Sequence, residues 1–346
     1  MPPKVFITGV TGYIGGDFLH LVSEKKPEWE ITALVRNSDK GAKVVAVYPK
    51  VRLVYGDLDA VDVIEDTAAN NDIIYHFANC DHEASAVAIA KGLGRRDRPG
   101  SGFWIHTSGT MILAHETISK AEWGNRHDKV YNDWDNVAEL TSQPDHAAHR
   151  NVDKIVLAAG SNKVKTAIVC PPTIYGPGRG PDNQRSVQIY GAAEGFLKHQ
   201  KAFKIGKGEN VWHYIHVHDL SNLYLLLGEA AANGGPPATW NDQGYYLAEN
   251  GSFVWGEVLQ AIAKIAYKKK LLPSDELESY GGNEAEKSFW QYATGTDSQG
   301  VSIRGKRLLG WSPSKRSIQE ELSDAVDSEA RRLGLIKSHA QTVEEE

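Results

Sequence analysis

The sequence predicts an α/β protein built on a doubly wound parallel sheet, and three observations predict it. Short β-branched runs alternate with segments of helical period through the first half of the chain. A glycine-rich turn separates the first such run from the first such helix. The length, 346 residues, is more than one small core needs and suits a large α/β unit with an elaborated second lobe. Such alternation implies a parallel sheet with helices on both faces, because every parallel crossover needs a covering element.

The first strand is expected in "KVFITGV", followed by a helix in "GGDFLHLVSEKK", strands in "EITALVR" and "VRLVYGD", a helix in "VIEDTAANN" and a strand in "DIIYHFAN". A helix from Glu83 to Gly92, a buried strand in "FWIHTSG", a long helix from Ala147 to Ala159 and a strand in "KTAIVCPPTIYG" complete a sheet of six or seven strands. Between Ile112 and Asp145 the periodicity gives way to a polar stretch rich in aromatics and His, a length of loop that compact domains usually reserve for function or a lid. Beyond Tyr175, helices are expected at Arg185–Lys198, Asp219–Ala232, Val254–Lys268 and Ile318–Leu333, forming a smaller C-terminal α/β substrate lobe. The expected organisation is therefore 1–175 for the sheet domain with later segments returning to it, 176–335 for the substrate lobe and 336–346 for a frayed tail.

The net charge of -6 and the absence of any Lys/Arg run longer than Lys268–Lys270 leave no electrostatic footprint for nucleic acid or an anionic membrane. A small-molecule substrate is the expected partner, with the chain a monomer or homodimer. No window reaches the roughly 18 apolar residues that span a bilayer. The first strand runs straight into glycines without a charged leader, so the mature protein is expected to start at the fold. Two cysteines far apart, Cys80 and Cys170, suggest small core or cleft-wall residues in a reducing, cytoplasmic setting rather than a disulfide framework.

In "VFITGVTGYIGG" the glycines Gly9, Gly12 and Gly15 stand three apart between strand and helix. One lets the chain reverse, one lets backbone N–H groups approach a pyrophosphate, and one lets helix and sheet pack closely. This is a Rossmann-type dinucleotide turn, with Gly9, Thr11, Gly12, Tyr13, Ile14 and Gly15 as its cofactor-binding residues. At the end of the second strand, "LVRNSDK" places Arg36, with Lys40 nearby, where an NAD site usually has an acid. A guanidinium there matches a 2′-phosphate, favouring NADP(H) over NAD(H), the alternative being a solvated Arg stacked on adenine. Asp57 and Leu58 of "YGDLD" are placed to flank the adenine, and Ala78 and Asn79 of "HFAN" end the fourth strand, where open sheets bind ligands.

Together with "PPTIYGPGRG" (Pro171 to Gly180), "YIHVHDL" (Tyr214 to Leu220) and "LLGWSP", these motifs resemble the extended short-chain dehydrogenase/reductases, which include dihydroflavonol reductases and nucleotide-sugar epimerases. The resemblance covers most of the chain and implies that Pro171, Thr173 and Ile174 border the cofactor. It also implies a catalytic Tyr with a Lys four residues later on one helix face, and a Ser or Thr ending the fifth strand. Lys154 is the expected lysine, binding cofactor ribose and assisting catalysis. Four residues before it stands Arg150 rather than Tyr. In "IHTSGTM" the serine position falls on Gly109, leaving Ser108 or Thr110 to polarise a carbonyl.

Arginine does not donate a proton near neutrality, so Arg150 is either an anion clamp or a surface residue. Three residues are candidates for the missing acid: His149, His82 in "NCDHE", and Tyr131, with His82 preferred because the fourth strand opens onto the cleft. His213, His216, His218 and Asp219 invite a zinc reading, but strand alternation splits them between faces, so no metal is expected. Asp219 is instead expected to cap the next helix while one of these histidines lines the cleft. Trp104, Trp123, Trp134, Trp212 and Tyr175 are candidates for an aromatic cleft wall.

The leading expectation is an NADP(H)-dependent oxidoreductase acting on a carbonyl or hydroxyl of a small organic molecule, with a nonstandard proton donor. An epimerase, isomerase or lyase using the dinucleotide transiently or as scaffold is the alternative. A non-catalytic dinucleotide-sensing regulator is the third reading.

Overall fold

The computed structural model describes residues 1–336 except Arg98, Glu286 and Ser288. The expected frayed tail lies almost wholly outside the described residues. The first half runs β1 (Lys4–Thr8), α1 (Tyr13–Lys25), β2 (Glu30–Val35), α2 (Ser38–Val47), β3 (Arg52–Tyr55), α3 (Val61–Ala69), β4 (Ile73–His76), α4 (Glu83–Gly94) and β5 (Gly102–Thr107). It continues through α5 (His115–Lys120), β6 (Tyr131–Asn132), α6 (Val137–Thr141), α7 (Arg150–Ala159), β7 (Val164–Cys170) and β8 (Thr173–Tyr175). The later chain forms α8 (Gln188–His199), β9 (Ala202–Ile205), β10 (Val211–His216), α9 (Val217–Ala232), β11 (Tyr245–Leu247), β12 (Ser252–Val254), α10 (Trp255–Lys268) and β13 (Leu277–Tyr280). It ends with α11 (Gly282–Ala285), α12 (Phe289–Gly295), β14 (Gly300–Val301), α13 (Arg304–Leu309) and α14 (Ile318–Arg332).

The central sheet has seven strands in the order β11-β7-β5-β4-β1-β2-β3, all parallel. Its inner strands are apolar on both faces: β4 and β5 are buried at every position. Such two-sided burial is what a sheet covered by helices demands. Phe6, Trp104 and Ile168 fill one face, and Val5, Phe18, Tyr75 and Tyr224 fill the other.

Two expectations change. "KTAIVCPPTIYG" is not one strand: Pro171 and Pro172 break it, leaving β7 in the central sheet and sending β8 into a separate sheet ordered β12-β10-β8. Proline has no N–H for the ladder, so a central strand ends there. The stretch from Ile112 to Asp145 is no open loop either. It holds a buried 3₁₀ turn, Thr110–Ala114, with α5, β6 and α6 behind it.

The second lobe packs α8, α10 and α14 around Trp255, Phe196 and Leu322. Residues 217–247 leave this lobe, with α9 lying against α1 and β11 extending the central sheet beside β7. No helix among the described residues is long and apolar enough to cross a membrane. Cys80 and Cys170 are both free.

Candidate active site

The glycine turn builds the floor of the site. Gly9 has φ of 78°, and a Cβ there would lie 2.7 Å from the backbone carbon of Phe77, so no other residue fits. Gly15 packs equally tightly, its Cβ position 2.5 Å from the Gly9 carbonyl. Gly12 caps α1 without any side-chain hydrogen bond, which leaves the first-turn N–H groups for an anion. The groove in front of this turn has a volume of about 610 Å³ and is lined by Gly9, Thr11, Gly12, Arg36, Lys40, Asp57, Leu58, Ala78 and Asn79 among others. An uncapped helix start and an open cradle fit a dinucleotide pyrophosphate.

A strap after β8 crosses over the turn. Gly180 sits against Gly16 so closely that a Cβ on either would meet the other's Cα at 3.0 Å or less. Arg179 anchors the strap by donating to buried Asp17 from Nε at 2.8 Å, Nη2 at 2.7 Å and its backbone N at 3.0 Å. Ser221 Oγ donates to the same carboxylate at 2.6 Å. Burial opposes ionisation of Asp17, but these Arg179 and Ser221 bonds hold it below the usual carboxylate range. The strap then delivers Asp182 and Asn183 to the wall of the groove, where Asp182 pairs with Lys40 and Lys43.

Beside the groove lies a second cavity of about 290 Å³. Apolar side chains dominate its wall: Ile14, Phe77, Met111, Pro171, Pro172, Ile174, Val187 and Trp212. Its polar edge is made of Tyr13, Cys80, Ser108, Thr110, His149, Ser186 and Gln188, with no Lys, Arg, Asp or Glu among the described lining residues.

The i, i+4 pair turned toward the interior is His149, which lines this cavity, and Asp153, which lies buried behind it, one residue ahead of the expected Arg150 and Lys154. His149 has φ of 66°, a left-handed conformation in which a non-glycine residue stores strain, and it turns the chain into α7. Its Nδ1 lies 2.8 Å from Asp81 Oδ1 and 3.3 Å from Cys80 Sγ. Burial alone would lower its pKa, yet the Asp81 carboxylate and the Cys80 sulfur reverse this and raise it to about 10. Its Nε2 is the atom nearest the Cβ position of Gly109, at 3.0 Å. The missing side chain at Gly109 thus makes room for the imidazole.

Behind the cavity Asp153 is fully buried and accepts from Ser108 Oγ and Tyr245 OH, both at 3.1 Å. His106 Nε2 stands 3.8 Å from Asp153 Oδ1, and neither atom has a hydrogen-bond partner. His106 Nδ1 meets His76 Nδ1 at 3.1 Å across adjacent strands. Burial lowers both histidines, His76 to about 4, so the pair is neutral at physiological pH. Burial also raises Asp153 to about 6. A carboxyl whose folded pKa is raised loses stability as pH climbs through the interval between its unfolded and folded values. Asp153→Asn removes that loss and offers an amide to His106 Nε2. Its stability relative to wild type is expected to rise by on the order of 2 kcal/mol between pH 4 and 7 in urea unfolding, and a pH-independent difference would contradict the raised pKa.

Several expected residues lie elsewhere. Lys154 is on the outer face of α7, where Nζ pairs with exposed Asp145 at 2.9 Å, because helical rotation turns Asp153 inward in its place. Arg150 lines neither cavity, and its Nε and Nη1 are buried without partners, which gives no support to an anion clamp. Tyr131 is buried in β6, its hydroxyl 3.5 Å from His115. His82 lines the dinucleotide groove rather than the second cavity. It caps α4 by accepting from Ser85 N at 3.2 Å and meets Asp59 at 3.2 Å.

Tyr13, Ile14, Pro171 and Ile174 line the second cavity, whereas Thr173 is buried in β8 and Gly15 serves the helix–sheet contact. Ser108 and Thr110 both reach the cavity. Ser108 is committed to Asp153, while the Thr110 hydroxyl has no partner. His216, not Asp219, caps α9, and Asp219 instead accepts from the backbone of Ser314 and Lys315. None of His213, His216 and His218 lines either cavity. Of the five aromatic wall candidates only Trp212 does. Among the described residues the one cluster of possible metal ligands is Cys80, Asp81 and His149, which the hydrogen bonds at His149 Nδ1 already account for.

The profile of the NAD dependent epimerase/dehydratase family matches residues 5–95 and 119–242. The chain belongs to this family. Its relatives include enzymes. Oxidase ucsJ of Acremonium sp is 36% identical over 97% of this chain and 100% of its own length. A dTDP-glucose 4,6-dehydratase of Mycobacterium tuberculosis (strain ATCC 25618 / H37Rv) is 26% identical over 62% of this chain and 66% of its own. Among solved structures, the UDP-glucose 4-epimerase of Thermotoga maritima superposes with a TM-score of 0.65 at 15% identity, over 95% of this chain and 99% of that one. A Streptomyces venezuelae dTDP-glucose 4,6-dehydratase with NAD bound gives 0.65 at 16% identity, covering 96% and 99%. At such identities the structures establish the extended epimerase/dehydratase fold of this family member and nothing finer.

Proposed function

We propose that this chain is an NAD(P)(H)-dependent oxidoreductase acting on a carbonyl or hydroxyl group of a small, mainly apolar molecule, with His149 as the proton donor. The observation that carries this reading is the strained His149, its ring held over Gly109 by Asp81 and Cys80 at the edge of the second cavity. The groove residues Gly9, Thr11 and Gly12, with Arg36, Ala78 and Asn79, would hold the dinucleotide, which would supply or accept the hydride. The chain's own residues do the rest. The imidazolium of His149 carries a proton on Nε2 and presents it to a carbonyl oxygen in reduction, or takes it back from a hydroxyl in oxidation. Thr110 lines the same cavity and its hydroxyl has no protein partner, which supports a role in orienting that oxygen. Ser108 is braced by Asp153 and keeps the adjoining backbone in place.

The apolar wall supports the substrate class. A nucleotide sugar carries a pyrophosphate that needs cationic partners, and the cavity lining offers only His149. Full-length similarity to an oxidase also favours net redox chemistry over epimerisation. Two free cysteines support a cytoplasmic setting.

The test is a screen of aromatic and aliphatic aldehydes, ketones and alcohols beside UDP-glucose and dTDP-glucose, following nicotinamide absorbance. Net consumption or formation of reduced dinucleotide with an apolar carbonyl or alcohol is the expected result. Turnover of a nucleotide sugar without net change would instead establish the epimerase or dehydratase reading.

A further inference from the structure

The adenosine end of the groove carries its own counter-ion. At the end of β2, Arg36 faces the position where a ribose 2′ group binds in this type of fold. Lys40 lines the same groove one turn further on, the second cation that a 2′-phosphate could use. Lys40 is not available: its Nζ bonds Asp182 Oδ2, and Lys43 Nζ reaches Asp182 Oδ1 at 2.5 Å. The two lysines hold the Asp182 carboxyl below its ordinary range, so it is ionised at neutrality.

Asp182 is fixed where it is. The strap that bears it is anchored on one side by the Arg179–Asp17 ion pair and the Gly16–Gly180 approach. On the other side Asn183 N bonds the Thr11 carbonyl at 3.3 Å. With Lys43 beside Lys40, the charges at this end are Arg36, Lys40 and Lys43 against Asp57, Asp59 and Asp182, a balance that leaves no net positive charge to hold a phosphate dianion. A 2′-hydroxyl, by contrast, carries no charge into this end and leaves the lysine–carboxylate bonds intact.

We infer that Asp182 is the specificity-determining residue of the cofactor site: its carboxylate takes the place of a 2′-phosphate between Lys40 and Lys43 and commits the chain to NAD(H). The inference rests on the dinucleotide reading above and stands against the expectation of NADP(H) drawn from Arg36 and Lys40.

The experiment is an equilibrium titration of the full chain with NADH and NADPH by nicotinamide fluorescence, and with NAD⁺ and NADP⁺ by calorimetry. Wild type is expected to bind NADH more tightly than NADPH by about tenfold or more. Asp182→Asn, which keeps the shape and removes the charge, is expected to tighten NADPH by about tenfold while NADH shifts by less than about threefold. Adding Lys40→Ala to that variant cancels the gain, and Asp182→Glu, which keeps the charge, retains the wild-type ratio. Thermal melts of each variant separate a loosened strap from a changed preference. An unchanged NADH/NADPH ratio in Asp182→Asn, or a wild type that already prefers NADPH, overturns the role of Asp182 while leaving dinucleotide use standing. No binding of any dinucleotide by wild type overturns both readings.

Discussion

His149→Gln is expected to lower turnover by about 10² to 10⁴-fold while leaving dinucleotide affinity within about threefold of wild type. The amide keeps volume and hydrogen bonding but has no transferable proton, so the loss falls on kcat rather than on cofactor binding. The pH profile carries a second signature. With its pKa raised to about 10, His149 is an imidazolium at neutrality, and reduction is expected to weaken only as pH rises through about 10. The same shift acts on stability with the same sign. A histidine whose folded pKa is raised contributes stability that is present in full below its unfolded value and is lost as pH climbs through the folded one. Asp81→Asn removes the hydrogen-bonded carboxylate and is expected to move the alkaline limb of the rate profile toward neutrality. If His149→Gln retains wild-type kcat on the substrate found by screening, the acid lies elsewhere in the cavity.

Asp17→Ala is expected to cost about 3–5 kcal/mol in urea denaturation, because it leaves Arg179 and Ser221 facing a vacated, buried site. Asp17 has no exposed side-chain surface, and it accepts bonds from both the strap and α9. The damage extends beyond stability, since the strap also positions Asp182 and Asn183 at the groove. Asp17→Asn, which keeps an acceptor for Ser221, is expected to lose less. A variant with alanine that unfolds within about 1 kcal/mol of wild type would show that the strap is held by its other contacts.

The dinucleotide groove was legible because its requirements are local. A strand, three glycines at fixed spacing and a helix start lie within one short stretch, and each glycine is demanded by the backbone itself. The central sheet was legible for a similar reason, since two-sided burial writes continuous apolar runs into the chain. The second cavity was not. "HRNVDK" contains two overlapping pairs at helical spacing, Arg150 with Lys154 and His149 with Asp153. Only the rotation of α7 against α4 and β7 decides which pair faces inward. No periodicity announces that a buried aspartate will take a lysine's place. Asp182 was missed because its partners stand 142 and 139 residues earlier in the chain. The proline pair after Cys170 was a signal available in the sequence, and it would have placed the end of β7 correctly.

The seventh strand of the central sheet has a consequence for how this chain is made. Because β11 is drawn from residues 245–247, the edge of β7 stays bare until some two-thirds of the polypeptide has left the ribosome. A nascent chain arrested before that point holds a nearly complete sheet with one open, apolar border, the kind of surface that invites pairing with another chain.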